Sequence, residues 1–93
     1  MGLAENRQEV AEIDERIIGL IQQRVEISKS IFEAKKAEGR SISDPEQERL
    51  VLGRATDIAL KLGLDAGAVG DIFRILISMS LRKQRELQGD EEG

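Results

Sequence analysis

The chain has 93 residues, a net charge of −4, and neither cysteine nor histidine. This length makes one domain, and the missing residue types exclude disulfides, thiolate metal sites, imidazole bases and every Ser/His or Cys/His nucleophile pair. With only Phe32 and Phe73 as aromatics and an acidic balance, nucleic acid is a poor partner; no apolar run is long enough to cross a membrane.

In chain order, apolar residues first recur at three- and four-residue spacing: Leu3, Val10, Ile13, Ile17, Leu20, Ile27, Ile31 and Ala34. This predicts one helix from Ala4 to Glu38, ended by Gly39. Such a helix is about 50 Å long, whereas a compact domain of this length is only about 30 Å across. Its apolar stripe therefore overhangs any core one chain can build, which points to a second copy. After a short loop, Asp44-Pro45 reads as an N-cap followed by a first-turn proline, with Gln47 completing a capping box. Leu50, Val51, Ile58 and Leu62 give this second helix its apolar face, and Gly63 ends it. A third helix is expected from after Asp65 to about Leu87, with the stripe Val69, Ile72, Phe73, Leu76, Ser80, Gln84 and Leu87. The domain is thus expected over residues 1–88. Residues 89–93 read as a solvated, disordered acidic tail, in which Asp90, Glu91 and Glu92 supply three of the excess negative charges.

Polar residues interrupt these stripes. Arg24 stands where the helix-1 pattern asks for an apolar residue, and a buried guanidinium needs a counter-anion or a route to solvent. A structural pair with a glutamate such as Glu48 would satisfy it. Lys35 follows eleven residues later, close to a whole number of turns, so both cations share one face about 16 Å apart. Taken alone, Lys35 is explained as a solvated lysine complementing the helix dipole. Arg7 lies about 100° away on the helical wheel and reads as a surface charge. Ser80 and Gln84 sit one turn apart on helix 3, and Asp44 and Glu48 one turn apart on helix 2. Each has a bland explanation as back-bonding, snorkelling or capping. Together they surround a helical core that has no nucleophile and no histidine base, a setting suited to a small polyanion bearing a hydroxyl.

These residues resemble the all-helical (AroQ-class) chorismate mutases over nearly the whole chain, from Arg7 to Gln84. The resemblance is carried by Arg7 upstream of EIDERIIGLIQQRVEIS, by KAEGRSISDPEQERLVL, and by IFRILISMSLRKQ with Ser80 and Gln84. It implies an all-α, three-helix chain in an intertwined homodimer without metal or other cofactor; a cytoplasmic location is expected from the missing cysteines, for which a reducing cytosol is the default. It also implies that Arg24 binds one carboxylate of chorismate while Arg7, from the partner subunit, binds the other. Lys35 and Gln84 would hydrogen-bond the ether oxygen, Glu48 and the backbone near Asp44 would take the ring hydroxyl, and Ser80 would contact a carboxylate. One departure stands out: the family usually carries Arg immediately before the helix-2 glutamate, where this chain has Gln47 in DPEQE.

The implied reaction is the Claisen rearrangement of chorismate to prephenate, in the biosynthesis of phenylalanine and tyrosine. No proton moves and no covalent intermediate forms, in keeping with a chain that lacks His and Cys. Two alternatives share the fold: an isochorismate-pyruvate lyase using the same cations, and a non-catalytic helical dimerisation or regulatory module.

Overall fold

A computed structural model describes residues 2–92, which form three helices: α1 (Leu3–Ala37), α2 (Pro45–Lys61) and α3 (Ala66–Glu92). No strand occurs among the described residues. α1 carries Glu5 in its first turn and Lys35 and Lys36 in its last, each on the side its macrodipole favours. It ends in a Schellman turn: Gly39 takes φ 69°, the Gly39 N–H donates to the Lys36 carbonyl and the Arg40 N–H to the Lys35 carbonyl at 2.8 Å. A positive φ is open to glycine at little cost, which is why the helix stops here.

Asp44 caps α2 as expected, its Oδ1 accepting from the Gln47 N–H at 3.3 Å. The reciprocal half of the box differs. The Asp44 N–H donates to Glu48 Oε2 at 3.3 Å, so Glu48, one residue beyond Gln47, closes the cap. A carboxylate in the first turn also interacts favourably with the dipole, which a neutral amide does not. α2 ends on a second Schellman turn at Gly63, and Asp65 Oδ1 accepts from the Ala68 N–H to start α3.

α3 continues through Glu92, five residues past the expected end at Leu87, so the helix takes in much of the segment read as a tail. Gly93 lies outside the described residues. An ion pair across the helix ends, Lys36 Nζ to Glu91 Oε2 at 2.7 Å, ties this extension to α1. The Glu91 hydrogen bond and charge hold the Lys36 pKa above its ordinary value. The pair's contribution is therefore present while Lys36 is protonated and is lost as pH rises through that raised pKa.

α3 is the centre of the chain: it packs against both α1 and α2, which do not pack against each other. The α2–α3 contact is made by small residues. Ala55 and Ala59 are buried, and a Cβ on buried Gly70 would come within 3.3 Å of the Thr56 methyl. The α1–α3 contact buries Phe32, Ser28 and Gln84, at 4, 0 and 2 % exposure.

Among the described residues, only Phe32, Ala55 and Ala59 are buried apolar side chains. Leu3, Val10, Ile13, Ile17, Leu20, Ile27 and Ile31 remain 40 to 64 % exposed along α1. The chain measures 54 × 27 × 15 Å, with a radius of gyration of 16.6 Å against about 12 Å for a compact domain of this length. Its accessible surface, 7092 Å², exceeds the roughly 5,400 Å² of a compact monomer of this mass. One copy leaves most of its apolar face in water.

Candidate active site

The three helices converge on a cavity of about 100 Å³ lined by Arg24, Lys35, Asp44, Gln47, Glu48, Val51, Ile77, Ser80, Leu81 and Gln84. Arg24 and Lys35 come from the shared face of α1, Ser80 and Gln84 from α3, and the remaining polar residues from the first turn of α2 and its cap. Seven of the eight residues singled out in the sequence thus meet. The eighth, Arg7, is exposed on α1, seventeen residues and about 25 Å of helix before Arg24. It does not line this cavity.

Arg24 is half-buried. Its Nη1 donates to Ser80 Oγ at 3.5 Å, and its guanidinium lies 5.7 Å from the Phe73 ring centroid, within cation–π range. Among the described residues it makes no ion pair with Glu48, so the simple structural explanation of a buried pair does not hold. Ser28, fully buried beneath it, donates Oγ to the Arg24 carbonyl at 3.2 Å, the back-bonding common for a mid-helix serine.

Lys35 is half-buried rather than solvated at the helix end. Its Nζ donates to the Ile42 carbonyl at 2.6 Å and to Gln84 Oε1 at 3.1 Å. The second bond orients the Gln84 amide: with Oε1 turned to the ammonium, the Nε2 donor takes the other direction and has no partner among the described residues. Among the described residues no fully buried side-chain polar atom lacks a hydrogen-bond partner, so the Gln84 Nε2 is not sealed off in the core.

The charges of Arg24 and Lys35 balance those of Asp44 and Glu48, so the cavity is formally neutral. No His/Cys/Asp/Glu group with the geometry of a metal site occurs among the described residues. Chemically, the cavity offers hydrogen-bond donors and cations on the α1 and α3 walls and carboxylate acceptors on the α2 wall. Sequence reasoning missed two participants. Phe73 was read as stripe and also supports Arg24. The Ile42 carbonyl had no sequence signal, because every residue carries one.

Residues 6–85 match the chorismate mutase type II family, and the chain belongs to it. It is 33% identical over 84 residues to the chorismate mutase of Methanocaldococcus jannaschii, covering 90% of this chain and 85% of that protein. It is 28% identical to the bifunctional chorismate mutase/prephenate dehydratase of Buchnera aphidicola, and 27% identical to that of Escherichia coli strain K12. Each of these alignments covers 87% of this chain but 21% of the bifunctional protein.

Proposed function

We propose that this chain, a chorismate mutase by family, converts chorismate to prephenate for phenylalanine and tyrosine biosynthesis, acting in the cytoplasm as an intertwined homodimer with shared active sites. The observation that carries the reading is the convergence of Arg24, Lys35, Ser80 and Gln84 on one cavity, with Lys35 and Gln84 in hydrogen-bond contact. A chain without cysteine needs no oxidising compartment, which is compatible with the cytoplasmic reading.

The rearrangement breaks the ether C–O bond of chorismate as a new C–C bond forms, within one cyclic shift of electrons. It requires a compact substrate conformer and stabilisation of negative charge growing on the ether oxygen. Arg24 holds one carboxylate, with Ser80 beside it, and a two-point clamp on a flexible dianion supplies the orientation. The Lys35 ammonium and the Gln84 Nε2 donor face the ether oxygen, where they bind the transition state more strongly than the ground state. Glu48 and the backbone at Asp44 take the ring hydroxyl, with Gln47 at the edge of the site.

Support for the dimer comes from what one chain lacks. Its cavity of about 100 Å³ is well below the roughly 300–1,000 Å³ of sites that enclose a small organic ligand. Beside Arg24 lies an apolar hollow of about 270 Å³ lined by Ile17, Leu20, Ile21, Ile72, Phe73 and Leu76, a seat for the α1 helix of a second copy. The second carboxylate clamp is then Arg7 of the partner subunit, which adds a third cation to a cavity whose Arg24 and Lys35 charges are offset by Asp44 and Glu48.

Subunit mixing tests activity and sharing together. Arg7→Ala and Arg24→Ala homodimers should each be nearly inactive in a chorismate-depletion assay. Mixed one to one and allowed to exchange, they should recover about a quarter of wild-type activity, since half the dimers are mixed and each holds one intact site. No recovery despite demonstrated exchange would remove the shared site. Salicylate from isochorismate, with no prephenate from chorismate, would identify the lyase instead.

A further inference from the structure

The loop between α1 and α2 is tied down by hydrogen bonds that involve its backbone. It borders an open cavity of about 550 Å³, which Lys35 lines together with Phe32, Lys36, Gly39, Arg40 and Ile42. What fixes the loop is a short set of hydrogen bonds: the Arg40 N–H to the Lys35 carbonyl at 2.8 Å, the Gly39 N–H to the Lys36 carbonyl at 3.1 Å, and Ser41 Oγ to the Ser43 carbonyl at 2.8 Å. The loop then enters the Asp44 cap, closed by Glu48.

Lys35 is gripped by this loop at both ends. Its backbone carbonyl receives Arg40, and its ammonium donates to the Ile42 carbonyl at 2.6 Å, shorter than its 3.1 Å bond to Gln84. A lysine ammonium has three donors on a flexible four-carbon stem and no intrinsic direction. Two donors are committed here, which leaves one for the cavity. The bond to Gln84 in turn decides which end of that amide faces the site.

From this geometry we propose that the Gly39–Ser43 loop is a positioning device for the reaction. The Ile42 carbonyl aims the Lys35 ammonium, Lys35 aims the Gln84 amide, and the positive φ of Gly39 sets where the carbonyl lies. Ile42 and Gly39 touch no substrate; they act through Lys35. The inference rests on the chorismate-rearranging site proposed above.

Two perturbations test it on the whole 93-residue chain. A Cβ at Gly39 meets nothing within 4 Å, so substitution there acts through φ alone. Gly39→Val, whose β-branch disfavours φ of 69°, should lower kcat about tenfold or more with KM within about twofold. Gly39→Asn, which tolerates that φ, should keep at least about half of the wild-type kcat. The second perturbation is a synthetic protein in which the Ile42–Ser43 amide is an ester, making the Ile42 carbonyl a weaker acceptor. The lost Ser43 N–H has no partner among the described residues. Weakening one hydrogen bond should lower kcat about three- to tenfold.

Lysine-ammonium 1H–15N spectra supply a readout that general destabilisation does not mimic. The Lys35 signal should be protected in the wild type and Gly39→Asn, and lost or shifted in Gly39→Val and the ester. Full kcat in the ester protein, or reduced kcat with an unchanged Lys35 signal, would overturn the proposal. If the wild type fails to consume chorismate, the functional reading falls, while the ammonium spectra still decide whether the loop positions Lys35.

Discussion

Lys35 Nζ on α1 and Gln84 Oε1 on α3, 49 residues apart in the chain, meet at 3.1 Å, and their contact turns two flexible polar side chains into one oriented donor pair. Gln84 is 2 % exposed, so its amide is confined by packing as well as by the ammonium. Preorganised donors of this kind need no reorganisation as charge develops, which is where electrostatic catalysis gains most.

Removing either cation of the α1 wall should separate activity from folding. Lys35→Ala and Arg24→Ala are each expected to lower kcat/KM by about a hundredfold or more, with circular dichroism and solution mass unchanged. Arg24→Ala should also raise KM, because it removes a carboxylate clamp along with its contacts to Ser80 and Phe73. Near-normal turnover in either variant would refute the site.

Gln84 does not titrate, so wild-type activity should not require acid. A steep fall between about pH 5 and pH 7 would contradict its role as a neutral donor. Gln84→Glu places a carboxylate where the amide donor was. Ionised, it offers the ether oxygen only lone pairs; protonated, it regains a donor. The variant should therefore be nearly inactive at neutral pH and gain activity as pH falls through the carboxylate's titration, a profile the wild type lacks.

Gln47 leaves the single-chain cavity with two cations against two carboxylates. Gln47→Arg adds a positive charge at the rim, on an exposed side chain that the α2 cap does not use. We expect kcat/KM for the dianionic substrate to rise about three- to tenfold at low salt, and the gain to shrink at high ionic strength. An unchanged kcat/KM at low salt would show that Gln47 does not limit the site.

Leu20 is 61 % exposed in the single chain. Were the protein a monomer, Leu20→Glu would be a surface change worth no more than about 0.5 kcal/mol. In the proposed dimer, with Leu20 in the contact between copies, it would bury an unpaired carboxylate at a cost of several kcal/mol. Light scattering should then show the mass falling to the 10.3 kDa of one chain, with loss of activity that higher protein concentration partly restores. A monomeric wild type would dispose of the shared-site proposal.

The sequence by itself determined the helices and singled out most of the polar residues that line the cavity. Periodicity, Asp44-Pro45, Gly39 and Gly63 are local signals, and each acts within a turn or two of its own position. Arg24, Lys35, Ser80 and Gln84 were visible because a polar residue in an apolar stripe breaks a local pattern. The end of α3 was not legible: Asp90 to Glu92 look like a solvated tail until Lys36, far away in sequence, is brought to 2.7 Å of Glu91. The same holds for the Arg24 environment, where Ser80 and Phe73 displace the anticipated pairing with Glu48. Glu48 itself closes the cap that the spacing had assigned to Gln47. Only the tertiary structure decided which donor meets which acceptor, and it decided above all that the Ile42 carbonyl receives Lys35. Backbone carbonyls are identical at every position, so what distinguishes one is where folding places it.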